Sequence, residues 1–115
     1  MQYRIGQGAD VHKLESETPL IIGGVSIPCS KGSKGHSDGD VLYHALVDSL
    51  LGSLAQGDIG QHFPSDDNQW KDAESCKFLK YADGLIKEQG YSVENIDTTI
   101  ILQNPKLTSH ILQMR

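Results

Sequence analysis

The chain has 115 residues, of which 37% are hydrophobic and 22% charged, and a net charge of −5. That length suits one domain with its own core, while the acidic balance argues against sequence-independent nucleic-acid binding, which needs a basic face. No apolar run reaches membrane-spanning length, there is no charged-then-apolar signal pattern, and Cys29 and Cys76 lie far apart like reduced thiols, so a cytoplasmic protein without membrane contact is expected.

The first predicted element is a strand over Tyr3–Val11. Its Gly6 and Gly8 suggest that another backbone or a ligand comes close. Asp10 and His12 are two apart, so an extended chain points both to one face, with Cα atoms roughly 6–7 Å apart. A carboxylate and an imidazole aimed at one side form half of a metal site. The run from Pro19 to Pro28 predicts a hairpin, with Gly23-Gly24 supplying the positive φ of a tight turn. Lys31–Gly35 is a flexible, partly basic lead-in.

His36-Ser37-Asp38-Gly39-Asp40 then opens a helix predicted from about Asp38 to about Leu54. Ser37 with Asp40 has the spacing of a capping box, and Val41, Leu42, Ala45, Leu46, Leu50 and Leu51 repeat at helical spacing. Gly52 should loosen the last turn. His44 and Asp48 share one face. A histidine with a carboxylate one turn later suits a metal ligand whose ring is fixed by an acceptor. Unpaired N–H groups at the helix start also favour an anion.

Gln56–Pro64 reads as a glycine-punctuated loop whose backbone can approach a ligand. A second helix is predicted over about Asp72–Gln89, with Cys76, Leu79, Ala82, Leu85 and Ile86 inward and Gly90 as the stop. Val93–Leu102 alternates like a strand, with Ile96, Thr98, Ile100 and Leu102 on one face. Asn104-Pro105-Lys106 turns the chain towards a weakly apolar end.

Asp10, His12 and His44 make three N/O ligands from a strand and a helix. Three protein ligands without cysteine suit a divalent ion with an open position rather than a structural zinc. His36, eight residues before His44, stands too far to share that ion but near enough to meet a phosphate beside it. His62 and His110 are read as ordinary residues.

Arg4–His12, Ile22–Pro28, His36–Val41, Gly57–Gly60 and Phe63-Pro64 resemble the 2-C-methyl-D-erythritol 2,4-cyclodiphosphate synthase family. The His-Ser-Asp-Gly-Asp block together with Asp-Val-His is the specific part of the likeness. The resemblance implies an α+β fold, a two-layer mixed β-sheet packed against helices, in a homotrimer with active sites between subunits. It implies an enzyme of non-mevalonate isoprenoid biosynthesis. Its small-molecule cytidine diphosphate substrate is 4-diphosphocytidyl-2-C-methyl-D-erythritol 2-phosphate. The 2-phosphate attacks the β-phosphorus, closing a ring and releasing cytidine monophosphate.

Carried over by motif, Asp10, His12 and His44 are expected to bind zinc, with Asp48 behind His44. His36 is expected to stabilise the transition state as the catalytic residue, and Ser37 to contact phosphate. Asp58, Ile59, Gly60, Phe63, Pro64, Ser65, Asp66 and Asp67 resemble the region that holds the methylerythritol part. Leu102, Gln103, Asn104, Pro105, Lys106, Leu107 and Thr108 match the cytidine pocket. Residues 1–115 are read as a single domain of this type lacking the C-terminal portion of the family pattern. That portion carries a glutamate for a second metal, magnesium or manganese. Two other readings stand beside this one: a non-catalytic zinc- and nucleotide-binding truncated homologue, and a zinc hydrolase.

Overall fold

The computed structural model describes residues 2–115. In chain order its elements are β1 (Leu14–Ser16), β2 (Leu20–Ile22), β3 (Val25–Ile27), β4 (Lys31–Ser33), α1 (Val41–Ser53), α2 (Ile59–His62), α3 (Ser75–Glu88) and α4 (Ile111–Met114). Short 3-10 turns lie at Asn68–Trp70 and Thr108–His110. Among the described residues no helix is long and apolar enough to cross a membrane.

The expected hairpin forms. β2 pairs antiparallel with β3, Leu20 opposite Ile27 and Ile22 opposite Val25, around Gly23 and Gly24 at φ 59° and 74°. Positive φ at both central residues matches the twist of the flanking strands. Leu20, Ile22 and Ile27 point inward, and Leu14, Val25, Leu42, Ile100, Leu102, Leu107 and Met114 pack around them. A second antiparallel pair joins β1 to β4, Leu14 opposite Ser33.

A second cluster lies between the long helices. Val47 and Leu51 of α1 meet Phe78 and Ala82 of α3, all buried. Phe63 stacks on Phe78 with ring centroids 4.3 Å apart, and Trp70 meets Phe78 edge-on at 5.7 Å. Helix α3 begins three residues later than expected, and Phe78, absent from the predicted inward face, is its largest buried side chain. Gly90, at φ 84°, closes it: Gly90 N–H donates to Lys87 O and Tyr91 N–H to Ile86 O. Those two bonds satisfy carbonyls that the helix end leaves open.

The α+β class holds, but the mixed sheet does not. Among the described residues both strand pairs are antiparallel, and neither Tyr3–Val11 nor Val93–Leu102 belongs to a ladder. Alternation describes side chains, whereas a strand also requires a hydrogen-bonded neighbour. Here the two segments instead border a cavity of about 760 Å³ floored by Leu42, Ala45, Leu46 and Leu50 of α1.

Candidate metal centre

The first segment reaches the site along α1. A Cβ on Gly6 would overlap the Ser49 carbonyl, and one on Gly8 the Ala45 carbonyl. Two extended residues advance about as far as four helical ones. The segment therefore runs antiparallel to α1 in step with its turns, and Asp10 arrives beside His44. The close backbone approach expected from the glycines is to a helix.

Asp10, His12 and His44 converge. The Asp10 Oδ2 lies 2.7 Å from His12 Nε2 and 3.3 Å from His44 Nδ1, and the two nitrogens are 3.2 Å apart. Donors about 2.0–2.1 Å from a tetrahedral zinc would be about 3.3–3.4 Å from one another. Two of the three separations nearly match that, and the third is a hydrogen bond that an ion would open. The donor set of two imidazoles and one carboxylate, with room on its fourth side, fits zinc. Among the described residues this is the group placed to hold a metal ion.

Electrostatics hold the group together. Burial opposes ionisation of Asp10, but the hydrogen bond from His12 and the His44 ring beside it outweigh that and keep its pKa well below the carboxylate range. Asp10 in turn raises the pKa of His12, against its partial burial, with help from the Lys34 carbonyl. His12 Nδ1 donates to that carbonyl at 2.7 Å, which turns Nε2 towards the group.

Beside the group opens a cavity of about 500 Å³. His12, His36, Ser37, His44, Ile59, Gly60, Phe63, Pro64, Ser65, Asp66, Trp70 and Phe78 line it. The loop residues expected at the ligand are thus gathered there, apart from Asp58 and Asp67. The Asp58 carboxylate caps α2, accepting from Gln61 N–H at 2.9 Å. Asp67 accepts from Gln69 N–H and Nε2, bonds that lower its pKa, and its carbonyl accepts from His36 Nε2 at 2.9 Å. Leu102–Thr108 are not among the cavity's lining residues; Leu102 and Leu107 pack instead beside β2 and β3.

Two expectations about α1 need correction. Ser37 does not cap it. Asp40 does, and its fully buried carboxylate accepts from Tyr43 N–H at 3.0 Å, Gly23 N–H at 2.9 Å and Gly24 N–H at 2.7 Å. Nor does Asp48 orient His44: its Oδ1 accepts from Ile59 N–H at 2.8 Å, pinning the start of α2. The free nitrogen of His44, Nε2, instead meets Ser75 Oγ at 2.8 Å and Ser37 Oγ at 3.0 Å. Ser75, Asp38, Trp70 and Phe78 are site residues that sequence reasoning missed. The aromatic pair could have been sought as apolar walls, and Asp38 from its place in the His36–Asp40 block; nothing in the sequence marks Ser75.

Fold and site together define an α+β protein with a three-residue nitrogen–oxygen group able to hold a metal ion, at the mouth of a mainly apolar cavity. The chain belongs to the YgbB family, whose profile matches residues 3–115. It is 57% identical over 112 residues to the 2-C-methyl-D-erythritol 2,4-cyclodiphosphate synthase of Clostridium kluyveri, covering 97% of this chain and 68% of that one. Against the Bacillus subtilis synthase the identity is 53%, covering 98% and 72%. Among solved structures, a CDP complex of the Plasmodium falciparum protein superposes with a TM-score of 0.81 at 39% identity, covering 98% of this chain and 70% of that one. The bifunctional IspDF of Campylobacter jejuni gives 0.91 at 41%, covering 96% and 30%.

Proposed function

We propose that this chain is a zinc-dependent cyclodiphosphate synthase. It converts 4-diphosphocytidyl-2-C-methyl-D-erythritol 2-phosphate into the cyclic diphosphate with release of cytidine monophosphate. The observation that carries this is the convergence of Asp10 Oδ2, His12 Nε2 and His44 Nδ1 beside the cavity, in a chain whose synthase relatives match it nearly end to end.

Asp10, His12 and His44 would hold the zinc. Bound there, the ion supplies positive charge and a fixed point for phosphate oxygens rather than an activated water. The reaction is an attack of one phosphate on another in the same molecule, so positioning can account for much of the rate. His36 and Ser37 sit on the cavity wall, where donors offset charge as it builds up on the phosphates. Ile59, Gly60 and Phe63–Asp66 also line the cavity and would offer apolar surface to the methylerythritol carbon chain.

The CDP complex of a relative supports a cytidine site, and Leu102–Thr108 are its candidates. Their absence from the cavity wall favours a site completed by a neighbouring copy. An exposed apolar set supports the same reading: Tyr3, Ile5, Val11 and Ile101 all face outward. Large apolar side chains left this exposed would be covered in a homotrimer.

The test is an assay on the zinc-loaded protein that resolves both products. Cytidine monophosphate together with a cyclic diphosphate is expected. A linear phosphate product would point to hydrolysis and overturn the reading. Replacing His44 with Ala should remove zinc and turnover together, as read by elemental analysis of the purified protein.

A further inference from the structure

We propose that Ser75, backed by Asp38, is a positioning residue that fixes the tautomer of His44 and so presents its Nδ1 to the metal ion. The inference rests on the metal reading of Asp10, His12 and His44. Ser75 is fully buried at the first turn of α3. Its hydroxyl donates to Asp38 Oδ1, and its N–H donates to Asp38 Oδ2 at 2.9 Å. Asp38 Oδ1 also accepts from Asp40 N–H at 3.1 Å. An ionised carboxylate only accepts, and a serine hydroxyl has one proton to give. That proton is committed to Asp38.

Towards His44, Ser75 Oγ can therefore only accept. The ring nitrogen facing it at 2.8 Å is Nε2, so Nε2 carries the hydrogen. In a neutral imidazole the lone pair then lies on Nδ1, the atom that faces Asp10 and His12. Ser37 Oγ, 3.0 Å from the same Nε2, could donate or accept and so fixes nothing by itself. His12 is set in the complementary sense, its Nδ1–H held by the Lys34 carbonyl and its Nε2 turned inward. Partners of this kind tune a metal ligand through its far nitrogen.

The link also explains a gap at the start of α3. Glu74, at its N-cap, makes no side-chain capping bond. Asp38 takes that role from another segment of the chain, so one carboxylate both seats α3 and orients a ligand on α1.

The experiment titrates zinc alone into the metal-free wild type and into the Ser75→Ala and Ser75→Thr variants. Ser75→Ala should lose about 10–100-fold in zinc affinity, and Ser75→Thr, which keeps the hydroxyl, should recover most of it. Equal affinity of Ser75→Ala and wild type would overturn the proposal. Nitrogen-15 spectra of the metal-free wild type at mildly alkaline pH need no variant: His44 is expected as the Nε2–H tautomer, and the Nδ1–H tautomer would overturn the proposal. A wild type that binds no zinc would refute the metal reading itself, a different result from either.

Discussion

At the scale of single residues, Asp40 shows how burial and hydrogen bonding compete. Burial raises its pKa, and the donors from Tyr43, Gly24 and Gly23 pull it back only in part. A carboxyl with a raised folded-state pKa holds its proton more tightly folded than unfolded. Its titration then favours the folded chain most below the unfolded value of 3.8, and that contribution is lost as pH rises through the folded value. Asp40→Asn removes the titration but turns an amide N–H₂ towards backbone donors. It should lower stability by about 1–3 kcal/mol, and the gap from wild type should narrow as pH rises. Urea unfolding from about pH 3 to about pH 7 measures both; a gap that stays constant would place the titration elsewhere. Asp48 gives a sharper contrast. Because its carboxylate is taken by Ile59 N–H, Asp48→Ala should leave zinc affinity within about twofold, against the 10–100-fold loss expected of a partner to a metal ligand. The three candidate ligands were legible because Asp10 and His12 have strand spacing and His44 lies in a clear helical pattern that starts at Val41. The partner of His44 was not, because Ser75 lies 31 residues away and is placed by the packing of α3. A shared helix face allows Asp48 to meet His44, but it does not decide whether another donor reaches the carboxylate first.

At the scale of elements, the first segment depends on α1 for its path, and glycine is what permits the contact. Gly8→Ala would drive a methyl into the Ala45 carbonyl. Neither backbone can yield without moving Asp10 or α1, so the variant should lose about 1–3 kcal/mol of stability, as overpacking does. It should also lose zinc affinity, because Asp10 lies on that segment and His12 directly follows it. Gly52 is the matched control. Nothing lies within 4 Å of a Cβ placed there, so Gly52→Ala should stabilise α1 by about 0.5–1 kcal/mol and leave zinc binding alone. Thermal melts and zinc titrations of both variants separate the two effects; a Gly8→Ala protein that melts and binds like wild type would mean the segment is not seated on α1. The elements that the sequence made plain are those whose partners are near in the chain: the β2–β3 hairpin, the bodies of the two long helices and the Gly90 stop of α3. Tyr3–Val11 and Val93–Leu102 also read as strands, the second by its alternation, but a strand-like pattern alone does not say what a segment hydrogen-bonds to.

At the scale of the whole molecule, the candidate metal ligands and the expected cytidine segment occupy different neighbourhoods. Asp10, His12 and His44 open onto the cavity beside α3, whereas Leu102 and Leu107 pack with β2 and β3. Between these neighbourhoods and solvent lies apolar surface that the single chain leaves uncovered, with Ile101 95% exposed, Ile5 93% and Val11 88%. These side chains contribute almost nothing to the core of one copy, so a charge placed there should not unfold it. Ile101→Asp is therefore expected to leave the zinc affinity unchanged, because all three ligands come from one chain. If copies meet across this face, the same change buries an unpaired carboxylate at each contact, and burying an unpaired charge is strongly unfavourable. Sedimentation velocity should then show the wild-type assembly replaced by single chains, with turnover lost and zinc retained. That combination would separate an active site shared between copies from one contained in each. Identical sedimentation of variant and wild type would mean that Ile101 lies outside every contact between copies.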